Sequence, residues 1–381
     1  MNNLHLKLKL FFLLAIFLML PNFAKAAPVV DSISGNISQG QVVTFSGSGF
    51  GEKSVAQPLK FENFSGGSNN TRIYPNDSFW EKYGDTGAVY SSTKAHSGSL
   101  SFGSHILPGG NDFETNFHTF AAPMNEMFIS YWYYIDADSS QGRSVIKLPR
   151  ISSSEAAGGG GVYNGAGGMT LGGTYDLLTS TGPYCAFNDG NGAELFTATD
   201  VARLESPYPS NKTWIRVDMY KKLSTAGIAD GVVQVKIYGF NSAVNNAAMT
   251  RAAGQTFLLD TVYLAMEDGF ESSHNYWMYL DDIYVDNTRA RIEICNANTW
   301  SAVTKCETQP ASVWSFDTGT GASSATVTVS QNSFASGDTG YVYVVDANGQ
   351  VNNTTPASMI IFGTDSSDIT PPSAPTGLGV L

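Results

Sequence analysis

The sequence predicts an all-β protein assembled from antiparallel sandwiches. No segment shows sustained helical periodicity, whereas alternating and β-branched runs recur along the chain. The 39 glycines and the 12% aromatic content suit a protein with many turns and ring-lined sheet surfaces. Numerous strands without intervening helices favour antiparallel sheets packed face to face.

The first 26 residues are predicted to be an export signal. Lys7 and Lys9 precede the apolar run "LFFLLAIFLMLP", and "AKA" before Ala27 fits a cleavage site. The run is too short for a membrane span, and no cysteine follows it that would carry a lipid anchor. We therefore expect an extracellular or cell-surface protein.

The charge of the chain argues against one class of partner. The net charge is −12 and the isoelectric point is about 4.8. Nucleic-acid binding requires clustered lysine and arginine, so we expect no nucleic-acid partner. The same charge would repel polymers of uronic acids at long range.

The segment after the signal contains "VVTFSGSGFG", a short strand that runs into a glycine-rich turn. It resembles the opening of TIG (IPT) domains, which are immunoglobulin-like sandwiches. Residues 28–58 alone cannot bury a core. The runs "ATVTVSQNSFASGDTGYVYVVDANGQ" and "SMIIFG" resemble the later part of such a domain, which predicts one domain split by a large insertion. The alternative is a short N-terminal arm and a separate C-terminal sandwich.

The middle of the chain reads as successive strands. "ADGVVQVKIYG" begins with Asp230-Gly231, a hairpin signal, and its expected partner is "TWIRVDMYKKL". Together with "FENF" and "YLDDIYVD", these runs resemble a concanavalin A-like jelly roll, the fold of lectins, glucanases and several polysaccharide lyases. The resemblance implies a carbohydrate ligand.

These observations divide the chain into five parts. The tail "DITPPSAPTGLGVL" resembles the start of a fibronectin type III module. The predicted parts are the signal peptide (1–26), the first TIG-like part (27–58), the jelly roll (59–288), the second TIG-like part (289–364) and the proline-rich tail (365–381).

Two adjacent aspartates interrupt the strand "YWMYLDDIYVD". Aspartate is depleted in strands, and a buried charge is costly unless it is paired or bound to a metal. In glucanase-like jelly rolls, an aspartate followed by alternating apolar residues on the last strand helps to hold structural calcium. The resemblance implies a Ca²⁺ site at Asp281, with Asp282 and with ligands near Glu62. The alternative is that one aspartate caps a bulge or pairs with Arg289.

The sequence offers weak signals for catalysis. The E-x-D-x-x-E triplet of jelly-roll glucanases is absent from the sequence, which argues against a glycoside hydrolase of that kind. The stretch "IKLPRI" is similar to a motif of some uronan lyases, although Ile146 and Arg150 replace its two glycines. A lyase needs a base and a group that neutralises the carboxylate. The candidate residues are Lys147, Arg150, His118 and Tyr163. In a regular strand, Lys147 and Arg150 would point to opposite sides.

The aromatic strand "SYWYYID" provides a candidate binding surface. Tyr131 and Tyr133 share one face, and Trp132 lies on the other. One face must be core, whereas a row of rings on the other would suit the apolar faces of sugars. We expect ligand binding by Tyr131, Tyr133, Trp132 and Lys147. The alternative is aromatic packing between sheets.

The chain contains three cysteines. Cys295 and Cys306 are close in sequence, and export permits a disulfide between them, which leaves Cys185 unassigned.

The function favoured by the sequence is non-catalytic binding of a polysaccharide or cell-surface glycan. The alternatives are a lyase on an acidic, uronic-acid polymer and a surface assembly or adhesion module.

Overall fold

The structure is a computed structural model of the chain. It describes residues 27–83, 87–108, 115–138, 143–154, 169–176, 185–188, 212–264, 267–268, 274–352 and 358–363. The predicted signal peptide, the tail 365–381 and Tyr163 lie outside these ranges. Among the described residues, no helix combines the length and apolarity needed to cross a membrane.

Strands account for almost all regular structure in the described residues. One short α-helix, α1, covers Ile73–Asn76, and a 3-10 helix covers Trp300–Ala302. The strands are β1 Val29–Ser34, β2 Val42–Ser48, β3 Lys60–Glu62, β4 Glu81–Tyr83, β5 Val89–Ser91, β6 Ser101–Ile106, β7 Thr115–Met124, β8 Glu126–Asp136, β9 Arg143–Ser152, β10 Met169–Asp176, β11 Cys185–Asn188, β12 Ile215–Lys222, β13 Gly231–Ile237, β14 Ser242–Ala248, β15 Leu259–Leu264, β16 Glu267–Asp268, β17 Tyr276–Asp286, β18 Arg291–Cys295, β19 Cys306–Gln309, β20 Ala311–Phe316, β21 Ala322–Thr328, β22 Thr339–Val345 and β23 Ser358–Ile361.

The larger unit is an antiparallel jelly-roll sandwich, and the all-β class predicted from the sequence is confirmed. Its front sheet has the order β11-β10-β9-β15-β7-β4, and β16 pairs with β9. Its back sheet has the order β14-β13-β12-β8-β17-β6-β5, and β3 pairs with β17. One apolar core, which includes Tyr131, Leu148, Val262 and Leu280, lies between the two sheets.

The hairpin of β12 and β13 has the predicted partner strands but a different connection. The strands pair from Val217–Ile237 to Lys222–Val232, so Asp230 and Gly231 do not form a two-residue turn. Asp230 instead closes the loop by accepting hydrogen bonds from the N–H and hydroxyl of Thr225. Gly231 is required because a Cβ there would lie 2.8 Å from the carbonyl oxygen of Lys222.

A smaller sandwich is built from both ends of the described chain. Strand β2 pairs with β21 from Val42–Thr328 to Ser48–Ala322. The sheets β1-β2-β21-β20 and β19-β18-β22-β23 enclose one core that includes Phe45, Ile292 and Val342. The N-terminal and C-terminal segments therefore share one core, which is the pairing that a split domain needs. Assignment of this sandwich to the TIG type stays a prediction.

The smaller sandwich covers part of the back sheet. Because Ile292 and Ile294 enter its core, Arg291, Glu293 and Cys295 of β18 point the other way. A disulfide joins Cys295 to Cys306, which lies directly opposite on β19. This pair packs with Tyr238 of the jelly roll, so apolar contacts extend across the interface between the smaller sandwich and the back sheet. We call this interface the joint.

Candidate functional site

A bulge in β9 brings Lys147 and Arg150 to the same face of the front sheet. Between these residues, β9 contains one more residue than its partner β10, where Gly172 and Thr170 lie opposite them. Such an extra residue shifts the alternation of side chains. Ile151 therefore enters the core, and Arg150 lies on the outer face with Lys147. This corrects the expectation that the two cations point to opposite sides.

Tyr263 lies beside Arg150 on the same outer face. Its neighbours Val262 and Leu264 belong to the core, so the Tyr263 side chain points outward. Tyr263 is opposite Arg150 on β9 and opposite Phe117 on β7. The rings of Tyr263 and Phe117 are stacked with centroids 5.3 Å apart. Arg150 and Tyr263 are both buried. The phenol of Tyr263 thus stacks on Phe117 and shares the outer face with Arg150 of the neighbouring strand.

Side chains with hydroxyl groups lie next to these residues on the outer face of the front sheet. Thr261 is opposite Ser152 on β9 and Thr119 on β7. The hydroxyls of Thr119 and Thr261 are 3.3 Å apart. The buried Ser152 hydroxyl has no hydrogen-bond partner among the residues that the structure describes. We call the set Lys147, Arg150, Ser152, Thr261 and Tyr263 the front face.

His118 does not belong to the front face. It is opposite Val262, which lies in the core, so His118 is on the other side of the front sheet. Its ring stacks on Phe79 with centroids 3.8 Å apart, and its Nδ1 lies 2.6 Å from the Phe79 carbonyl oxygen. These contacts give His118 a structural role near the sheet edge.

The aromatic strand β8 does not present its rings at an open surface. Tyr131 and Tyr133 are buried in the core between the two large sheets. Trp132 points to the other side, where it is 6% exposed and stacks on His96 with centroids 3.8 Å apart. This corrects the expectation that these three residues bind a ligand, because both faces of the strand are covered.

Asp281 anchors a loop. One of its carboxylate oxygens accepts the backbone N–H groups of His96 at 2.8 Å and Ser97 at 3.1 Å. The other accepts the N–H of Asp282 at 2.9 Å. Burial, and then the neighbouring charge of Asp282, raise the pKa of Asp281 well above its usual range. The carboxyl group thus caps the loop and the bulge that begins at Asp281.

The structure does not bring Glu62 to the aspartate pair. Glu62 is opposite Ile283, which enters the core, whereas Asp281 is opposite Trp132 on the outer face. Glu62 accepts the N–H of Phe64 at 2.8 Å and forms an ion pair with Lys60 at 2.9 Å. The three predicted ligands therefore do not converge on one calcium position. Calcium binding by the protein stays a prediction.

A different set of ligand atoms does converge. His96, Asp282 and Glu307 each place one ligand atom within 4.8 Å of the others. The positive φ of 47° at Asp282, within the bulge of β17, directs this side chain away from the core. The sequence pointed to Asp282 alone, because His96 and Glu307 are distant in the chain.

Comparisons with known proteins show a likeness in fold. No protein-family model matches the chain, and no curated protein matches it. A marine PL-14 alginate lyase from Aplysia kurodai is 14% identical, with a TM-score of 0.43 over 60% of this chain and 99% of that one. An endo-β-1,4-glucuronan lyase from Trichoderma reesei is 12% identical, with a TM-score of 0.41 over 60% and 95%. The Emp47p carbohydrate recognition domain is 13% identical, with a TM-score of 0.35 over 62% and 99%.

Proposed function

We propose that the front face binds an acidic polysaccharide whose sugar units carry carboxylates. The observation that carries this proposal is the bulge in β9, which aligns Lys147 with Arg150. Two cations on one strand suit successive carboxylates of a polymer. The protein is proposed to act outside the cell or at its surface, as the predicted export signal suggests.

The charge of the whole chain makes this local pair of cations important. A net charge of −12 repels a polyanion at long range, so attraction has to come from a local positive site. Arginine presents a planar fork of donors that matches a carboxylate, and lysine adds a point charge.

Calorimetry with a panel of polysaccharides tests this proposal. We expect binding of alginate, polyglucuronate or polygalacturonate and none of a neutral glucan. Arg150→Ala and Lys147→Ala should each weaken binding roughly tenfold or more, since a hydrogen bond to a charged group contributes about 1.5–3 kcal/mol. Lys222→Ala, which removes an exposed lysine from the back sheet, is the matched control. Equal affinity for neutral and acidic polymers would contradict the proposal.

A second candidate function is eliminative cleavage of the same polymer, favoured by the position of Tyr263 beside Arg150. The guanidinium group would neutralise the sugar carboxylate and so acidify the proton on the adjacent carbon. Tyr263, acting as its phenolate, would take that proton, and the electron pair of the broken carbon–hydrogen bond would form a carbon–carbon double bond. The bond to the bridging oxygen would break, and that oxygen would take the proton back from the Tyr263 phenol to become a new hydroxyl end, which regenerates the phenolate. Absorbance of the unsaturated product distinguishes cleavage from binding alone.

A further inference from the structure

Three buried side chains from distant segments meet at the joint between the two sandwiches. His96 lies in the loop between β5 and β6, Asp282 in the bulge of β17, and Glu307 on β19. Their side chains are 5%, 4% and 2% exposed. We call them the joint cluster. It lies apart from the front face, because Asp282 and His96 are on the outer side of the back sheet.

The His96 ring is held with one nitrogen directed at Glu307. Its Nδ1 is 2.6 Å from an Asp282 oxygen, and Trp132 stacks on the ring. The Nε2 atom is buried and has no hydrogen-bond partner within the described ranges. It lies 3.7 Å from the nearer carboxylate oxygen of Glu307. A proton on Nδ1, donated to Asp282, leaves the lone pair of Nε2 facing that carboxylate.

The joint cluster contains two carboxylates and neither lysine nor arginine. Asp282, Glu307 and the adjacent Asp281, which is outside the cluster, are all buried. No lysine or arginine in the described segments forms an ion pair with any of them, and the nearby Arg216 pairs with Asp218 and Glu293. Buried carboxylates are normally paired with a cation or bound to a metal, which points to an additional cation.

We propose that the joint cluster binds one divalent metal ion of the zinc class through His96 Nε2 and the Glu307 carboxylate. Zinc lies about 2.0–2.2 Å from histidine nitrogens and carboxylate oxygens, so two tetrahedral donors are about 3.4 Å apart. The separation of 3.7 Å therefore needs only a small movement. Asp282 orients His96 through its other nitrogen, the arrangement that accompanies most metal-binding histidines. Water completes the coordination. The nitrogen donor distinguishes this site from calcium, which prefers six to eight oxygens.

The consequence of such a site is a metal link between the two sandwiches. His96 and Asp282 belong to the jelly roll, and Glu307 belongs to the smaller sandwich. This inference does not depend on the proposed polysaccharide function.

The test uses the whole tag-free protein after exhaustive dialysis against a chelator. We expect calorimetry to show one Zn²⁺ per chain, and Co²⁺ to give the visible absorption of a tetrahedral site. His96→Gln and Glu307→Gln should each weaken zinc binding at least tenfold. Asp282→Asn should weaken it about 10- to 100-fold, the usual effect of losing a carboxylate that orients a metal-binding histidine. The control His105→Gln, in β6 and outside the joint cluster, should bind zinc normally.

Wild-type melting curves keep the inference testable if a variant does not fold. A chelator should lower the melting temperature of the wild-type protein, and zinc should restore it. An absence of stoichiometric zinc binding by the wild-type protein would overturn the inference. Zinc binding that is retained by folded His96→Gln, Glu307→Gln and Asp282→Asn would also overturn it. The same holds for stabilisation by calcium but not by zinc, if His96→Gln leaves that stabilisation unchanged.

Discussion

Arg216 and Glu293 form a two-pronged ion pair across the joint between the sandwiches. The two guanidinium nitrogens donate to the two Glu293 oxygens at 2.8 Å and 2.7 Å. Asp218 and Arg291 complete a network of two cations and two anions. All four side chains are almost fully buried. Because the charges balance locally, the joint can enclose them.

Removal of one charged partner from this network should lower the stability of the protein strongly. We expect Glu293→Ala to lower the free energy of unfolding by about 3–5 kcal/mol, because it leaves the buried Arg216 and Arg291 with Asp218 as the one remaining carboxylate of the network. Chemical denaturation followed by tryptophan fluorescence measures the change. Lys212→Ala is the control. It removes an exposed pair with Asp138 and should have a much smaller effect, because exposed ion pairs contribute little to stability. Equal effects of the two substitutions would show that the network does not stabilise the joint.

Lys236 should make stability depend on pH in the alkaline range. Burial lowers the pKa of Lys236 from 10.5 to about 8. Between these values the unfolded chain binds more protons than the folded one, so stability should rise as pH increases from about 8. Relative to Lys236→Met, the wild-type protein should gain on the order of 2 kcal/mol by pH 10.

Denaturation of both proteins at several pH values checks this prediction. The comparison with Lys236→Met cancels the titration of the tyrosines, which both chains share. Lys236 lies over the rings of Tyr238 and Trp300, and methionine can preserve much of that packing. A difference in stability that is constant from pH 8 to pH 10 would contradict the assigned pKa.

Tyr131 should behave as a core residue. We expect Tyr131→Ala to lower the free energy of unfolding by about 3–5 kcal/mol, as is typical of large aromatic truncations in cores. Tyr131→Phe keeps the ring and should cost much less. Polysaccharide affinity of the folded Tyr131→Phe protein should equal that of the wild type. A selective loss of affinity in that variant would restore Tyr131 as a ligand-binding residue.

Tyr263→Phe separates binding from cleavage. If the front face cleaves its polymer, loss of the hydroxyl should abolish the unsaturated product while affinity changes little, because the phenylalanine ring still stacks on Phe117. Product absorbance and calorimetry on the same protein give both readouts. Unchanged product formation in Tyr263→Phe would exclude Tyr263 as the base.

The disulfide between Cys295 and Cys306 should stabilise the chain. The bond closes a short loop, with a sequence separation of 11 residues. Replacement of both cysteines by alanine should cost about 2–4 kcal/mol. Denaturation of the double variant, and of the wild type with and without reductant, measures the effect. If neither the substitutions nor the reductant changes the free energy of unfolding, the predicted stabilisation by the disulfide is contradicted.

Local sequence predicted the strands well because their periodicity is local. In β13, Val233, Val235 and Ile237 are buried, whereas Gln234 and Lys236 between them are half-buried. That alternation is visible in the letters "VVQVKI" and requires no knowledge of the rest of the chain. The all-β class and the antiparallel sandwich follow from many such runs.

The front face and the joint cluster depended on tertiary structure. Alternation predicts which residues of one strand share a side, but one extra residue in β9 reversed the side of Arg150. Nothing local indicated that β15 would lie beside β9 and bring Tyr263 to Arg150. His96 and Glu307 reach Asp282 only because a loop and a second sandwich pack on the bulge of β17. The sequence by itself determined the strands and the alternation within their regular runs. The packing of distant segments decided where that alternation breaks and which side chains meet, because strand pairing joins residues whose separation leaves no local periodic signal.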